Sequence, residues 1–124
     1  MNERPLSPHL QVYRLPITAV LSITHRITGL WLLVGMAVFV IVLMSAADGS
    51  QPFVSVQILF RSTAGRLLLW TWLFALYFHL CHGIRHLVWD TGHGFCRETL
   101  TWHSWIELGS TVLMTGVTVL LAHF

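Results

Sequence analysis

Three stretches of this chain run far enough without a charged residue to cross a bilayer. Ile27 to Ala47 holds 21 such residues, Leu67 to Ile84 holds 18, and Leu108 to Phe124 holds 17. A membrane helix needs about 20 apolar residues, within a range of about 17–25. The second stretch gains length from Thr63-Ala64-Gly65 before it and from Arg85 to Trp89 after it. The third reaches full length if it starts near Trp102, with Glu107 in the interface or facing protein. The pattern predicts an all-α membrane protein with spans near 20–47, 63–90 and 103–124, and residues 1–124 forming a single membrane domain.

Short breakers separate the spans. Asp48-Gly49-Ser50-Gln51-Pro52 ends the first. Phe53 to Phe60 is a brief apolar run, read as an interfacial turn. Thr91-Gly92-His93-Gly94 ends the second. Trp70, Trp72, Trp89, Trp102 and Trp105 lie near span ends, as an aromatic belt does. With three spans, Arg4, Arg14, Arg26, Arg85 and Arg97 share one side, and Arg61 and Arg66 the other. That bias places the N-terminus on the cytoplasmic or matrix side.

Polar residues interrupt this pattern at two places. His79, His82 and His86 stand at i, i+3 and i+7, on one helix face. Ser22, His25 and Arg26 stand at i, i+3 and i+4, also on one face. The first two spans run in opposite directions, so both patches fall at one membrane level. Polar groups in hydrocarbon are costly and mark sites facing a bundle interior. His79 lies six residues before Arg85, about 9 Å deeper at 1.5 Å per residue. That depth suits a cofactor, with Arg26, Arg85 and Asp90 at its rim.

Imidazole is the usual axial ligand of b-type haem, and arginine and histidine suit its propionates. A hydroxyl and a cation, as at Ser22 and Arg26, suit a quinone whose oxygens gain charge on reduction. Each residue also has a plainer reading. A membrane histidine can simply hydrogen-bond another helix. Arg26, Arg85 and Asp90 can snorkel or form a helix-end ion pair. Gly29 and Gly83 are read as permitting close helix packing. His9, His93, His103 and His123 are read as solvent or headgroup residues. The residues alone do not choose among His79, His82 and His86 as an iron ligand.

Composition narrows the class. The chain has 124 residues, 55% hydrophobic and 10% charged. That argues against a separate soluble catalytic domain, so the chain is not expected to be catalytic alone. Its formal charge of +2 carries no nucleic-acid signature. Cys81 and Cys96 are read as unpaired thiols. Met1 to Pro8 is polar and proline-rich, without the apolar core of a signal peptide, which favours a bacterial chain or a mature organellar one.

Two motifs carry a family resemblance. One is Arg4-Pro5-Leu6, Leu10, Ile17 and Ser22-Ile23-Thr24-His25-Arg26-Ile27-Thr28. The other is His79-Leu80-Cys81-His82-Gly83-Ile84-Arg85-His86-Leu87-Val88-Trp89-Asp90-Thr91-Gly92. In residue type, spacing and order the chain resembles the cytochrome b membrane-anchor subunits of succinate dehydrogenase (complex II). The resemblance implies a second small anchor subunit packing into a shared haem-binding bundle, an iron–sulfur subunit and a flavoprotein subunit. It implies that electrons pass from succinate to a quinone. It assigns His79 as the one axial ligand of haem b from this chain, with the other from the partner anchor. His82 is the alternative ligand and His86 a further candidate. His25 and Arg26 fall in the haem-propionate region, Ser22 and Arg26 in the quinone site, and Asp90 in the quinone vicinity. It implies a multi-pass protein of the bacterial inner membrane, in preference to the mitochondrial one. The rivals are an anchor of a quinol:fumarate reductase, a self-contained b-type cytochrome, and a non-redox assembly protein.

Overall fold

The computed structural model describes residues 13–122. Arg4, Pro5, Leu6, His9, Leu10 and His123 lie outside the described residues. Four helices follow one another: α1 (Ile17–Ala47), α2 (Ser50–Arg61), α3 (Thr63–Asp90) and α4 (Arg97–Ala122). Three of them are long and apolar enough to cross a membrane, with 18-residue stretches of mean hydropathy 2.6, 1.5 and 1.5 in α1, α3 and α4.

Local chemistry sets the helix ends. Pro16 stands in extended backbone immediately before α1, where its missing N–H costs nothing, and its carbonyl accepts from Ala19 N and Val20 N. Gly49, at φ 120°, turns the chain between α1 and α2. Ser62 serves two helices: its hydroxyl donates to Leu59 O at 2.6 Å and accepts from Gly65 N at 3.1 Å. Gly65 lies directly against the α2 backbone. A Cβ there would meet Leu59 O and stand 2.7 Å from Phe60 Cα, so only glycine fits this corner.

Two features go beyond the sequence pattern. Phe53 to Phe60 belongs to a helix of 12 residues rather than a turn. Serine, glutamine and the apolar run supply an amphipathic three-turn segment that lies against α1 and α3. The third long helix begins at Arg97, so about a turn and a half precedes the span expected from residue 103. Glu98 in its first turn complements the positive helix end.

The interior is polar where a soluble bundle would be apolar. Buried hydrophobics are Leu21, Ala75 and Phe78; buried polar residues are Thr28, His82, Arg85, Ser104, Glu107 and Thr111. Large apolar side chains cover the outside. In hydrocarbon, lipid solvates those side chains, and interhelical packing and hydrogen bonds hold the helices together. α3 is central and packs against both α1 and α4. Tyr77 on α3 shares a 2.7 Å hydrogen bond with Thr118 on α4, and Trp31 Nε1 on α1 donates to Thr71 Oγ1 on α3 at 3.2 Å.

Candidate haem and quinone site

Four histidines meet between α1 and α3. The His25 ring stacks on His79 with centroids 3.9 Å apart and planes 17° apart. His25 also lies 4.5 Å from His82 and 5.9 Å from His86, and His82 meets His86 edge-on at 4.9 Å. The i, i+3, i+7 spacing on α3 thus presents three imidazoles to one on α1. Ligand nitrogens of His25, His82 and His86 lie within 4.8 Å of one another.

Two of the three α3 histidines, His79 and His82, are held by hydrogen-bonding partners of their own. Thr28 Oγ1 donates to His25 O at 2.9 Å, which uses its one proton. His79 Nδ1, 3.5 Å from that oxygen, is therefore the donor to it, leaving the His79 Nε2 lone pair free. Gly29 makes this approach feasible, because a Cβ there would stand 3.1 Å from His79 Cε1. Gly83, by contrast, faces nothing within 4 Å in this chain, so the close-packing role expected for both glycines holds here for Gly29 alone.

His82 is 1% exposed, stacks on Phe78 and sets its Nδ1 2.8 Å from Glu107 Oε1. Glu107 Oε2 accepts from Arg85 Nη1 at 3.0 Å. Arg85 Nη2 donates to Leu100 O at 3.4 Å, and its guanidinium carbon lies 4.5 Å from the Trp89 ring centre. Arg85 thus turns to α4. No ion pair joins Asp90 to Arg26 or Arg85 among the described residues. Asp90 ends α3 exposed, Arg26 is exposed and Ser22 is half-buried on α1. Trp89, expected in the belt, instead caps Arg85 and meets His86 edge-on at 5.1 Å. His103, expected among the headgroups, is half-buried and shares an α3–α4 groove of about 330 Å³ with Arg85 and Glu107.

The residue that sequence reasoning missed is Glu107. A signal was present: Ser104, Glu107, Thr111 and Thr118 recur along one face of α4, a polar stripe like that of the histidines. A second groove, about 610 Å³ and lined by Leu32, Gly35, Phe39, Trp72 and Leu76 among others, lies in the apolar half of α1 and α3. It holds no titratable group, so the chemistry belongs to the histidine cluster.

Buried nitrogens in the cluster are unsatisfied. His25 Nε2 and His82 Nε2 have no hydrogen-bond partner among the described residues. Such groups call for an acceptor, a donor or a metal. The donor set of imidazoles, beside a close-approach glycine, fits a haem.

Residues 1–118 match the model of the succinate dehydrogenase/fumarate reductase transmembrane subunit. The chain belongs to that family. It is 37% identical, over 97% of its length and 92% of the relative's, to the succinate dehydrogenase cytochrome b556 subunit of Paracoccus denitrificans. It is 34% identical to the same subunit of Rickettsia felis, over 92% of this chain and 89% of that one. It is 38% identical to the succinate dehydrogenase cytochrome b560 subunit of Reclinomonas americana, over 90% and 81%. The resemblance carried by the two motifs therefore extends across nearly the whole chain. Both bacterial and mitochondrial proteins are among its relatives.

Proposed function

We propose that this chain is the cytochrome b membrane anchor of a succinate:quinone oxidoreductase, holding one haem b and part of a quinone site. The observation that carries the proposal is the stacking of His25 on His79 between α1 and α3, in a chain whose relatives are named cytochrome b subunits. Succinate oxidation then belongs to a flavoprotein partner, with an iron–sulfur subunit between it and the membrane. A second small anchor supplies the remaining bundle surface and the second axial ligand.

His79 is the iron ligand in this reading. Its Nδ1 is committed to Thr28, so Nε2 is the free nitrogen. His82 offers an equally bare Nε2 one turn away, and the family motif favours His79. His25, His86 and Arg26 are the groups available for propionates, since Arg85 is engaged by Glu107. When bound, haem b supplies a one-electron redox centre beside the quinone.

Ser22 and Arg26 stand one turn apart on α1, with His25 between them. The Ser22 hydroxyl can donate to a quinone oxygen, and the Arg26 guanidinium can stabilise charge as that oxygen is reduced. Asp90 closes α3 on the same side and stands near the quinone in this reading. The N-terminus is cytoplasmic, and the membrane is the bacterial inner membrane. The relatives carry the dehydrogenase name, which favours succinate oxidation over fumarate reduction.

The test is a reduced-minus-oxidised optical spectrum of the complex purified through a tag on this chain, with its subunits identified. A b-type band with flavoprotein and iron–sulfur partners supports the proposal. Those partners without haem remove the ligand assignment, and neither haem nor partners rejects the reading as a whole.

A further inference from the structure

We infer that Glu107 is a positioning residue for the histidine pocket: from α4 it fixes the orientation and tautomer of His82 and holds Arg85 away from α1. This deepens the haem reading and rests on it.

Glu107 is the only buried carboxylate among the described residues, at 4% exposure. It sits on the third long helix, whereas the histidines sit on the first two. Its oxygens divide their work. Oε1 meets His82 Nδ1 at 2.8 Å, and Oε2 accepts from Arg85 Nη1 at 3.0 Å. An ionised carboxylate can only accept, so His82 must donate from Nδ1 and carry its lone pair on Nε2. That Nε2 is buried and unpartnered, on a ring that faces His25 and His86. Partners of this kind orient a ring and raise the basicity of its other nitrogen.

The same carboxylate governs charge. Arg85 is a buried cation one residue from His86, and its guanidinium is drawn to Glu107, Leu100 O and the Trp89 ring. With Glu107 ionised, the pair is neutral. Without that charge, an uncompensated cation stands at the haem pocket, and it favours the form of the haem that has gained an electron. Glu107 therefore sets both the geometry of His82 and the local potential.

Two variants of the assembled complex separate these effects. Glu107→Gln removes the charge and keeps an acceptor oxygen. Arg85→Met with Glu107→Leu removes the acceptor while leaving no unpaired charge. Haem content per flavin, haem midpoint potential and low-temperature electron paramagnetic resonance of the oxidised haem are measured in each. The expected result for Glu107→Gln is retained haem with an upward shift in midpoint potential. The double variant returns the potential toward wild type but shows altered haem g-values, because His82, freed of its Nδ1 acceptor, no longer fixes the His25 ring that stacks on the ligand His79. A purely structural ion pair predicts instead that the double variant restores both.

Wild-type potential and g-values in both variants overturn the inference. So does failure of both to assemble, which assigns Glu107 to folding alone. A wild-type complex without haem sinks the haem reading itself, whereas a haem-replete wild type with unshifted variants sinks this inference only.

Discussion

His82 on α3 and Glu107 on α4 meet through a 2.8 Å Nδ1–Oε1 contact, with both side chains almost wholly out of reach of solvent. This contact ties the third long helix to a pocket formed by the first two. Arg85 completes the group, so one carboxylate serves two bases from adjacent turns of α3. The triad explains why a glutamate persists in an otherwise apolar span.

The buried pair predicts a sharp non-additivity. Glu107→Leu alone leaves Arg85 charged and unpaired, and breaking such a pair costs about 3–5 kcal/mol. Replacing both partners by apolar residues, as in Arg85→Met with Glu107→Leu, is expected to recover most of that loss. Thermal inactivation of the purified complex measures it. Equal destabilisation by the single and double changes would count against a coupled pair.

His79→Ala is expected to lose or strongly perturb the haem spectrum while leaving the anchor able to bind its soluble partners. The reduced-minus-oxidised spectrum checks this, with subunit content as the control. A normal spectrum would transfer the ligand role to His82, whose Nε2 is likewise free.

Gly29→Ala tests the same histidine from α1. The added Cβ would stand 3.1 Å from His79 Cε1, so the ring must shift by a few tenths of an ångström. Gly83→Ala adds a Cβ in open space within this chain and serves as its counterpart. A changed haem band in the first variant and a smaller change in the second is the expected outcome.

Ser22→Ala and Arg26→Leu are expected to slow succinate-to-quinone turnover by roughly 10²-fold each, the usual scale for losing one preorganised donor. Succinate oxidation with an artificial acceptor should remain near wild type. Parallel loss of both activities would place the defect in assembly rather than at the quinone.

Gly65→Ala addresses the fold alone. Its Cβ would collide with Leu59 O and approach Phe60 Cα to 2.7 Å, both backbone atoms that cannot swing aside. Overpacking of this kind costs about 1–3 kcal/mol. A lower thermal midpoint of the complex with an unchanged haem spectrum is expected, since the α2–α3 corner lies at the far end of α3 from the histidines.

Much of this architecture was legible before any coordinate. Uncharged runs determined the three long helices, because in hydrocarbon a backbone must satisfy its own hydrogen bonds and a helix does so locally. The spacing of His79, His82 and His86 determined that they share a face, and Ser22, His25 and Arg26 likewise. Phe53 to Phe60 reads as a turn because eight residues, six of them apolar, are too few to reveal a helical period, and the helix is completed by Ser50 to Pro52 before the run and Arg61 after it.

What only the tertiary structure decided is which faces meet. Periodicity assigns residues to a side of their own helix, but the rotation of each helix about its axis is set by packing against its neighbours. That rotation turned Arg85 toward Glu107 and Trp89 rather than Asp90. It brought Gly29 against His79 and left Gly83 open. It also converted Glu107, which the sequence left either in the interface or facing protein, into the buried partner of His82. An isolated helix cannot specify such a pairing, since a carboxylate and an imidazole 25 residues apart come together only when two helices bury both groups at one depth.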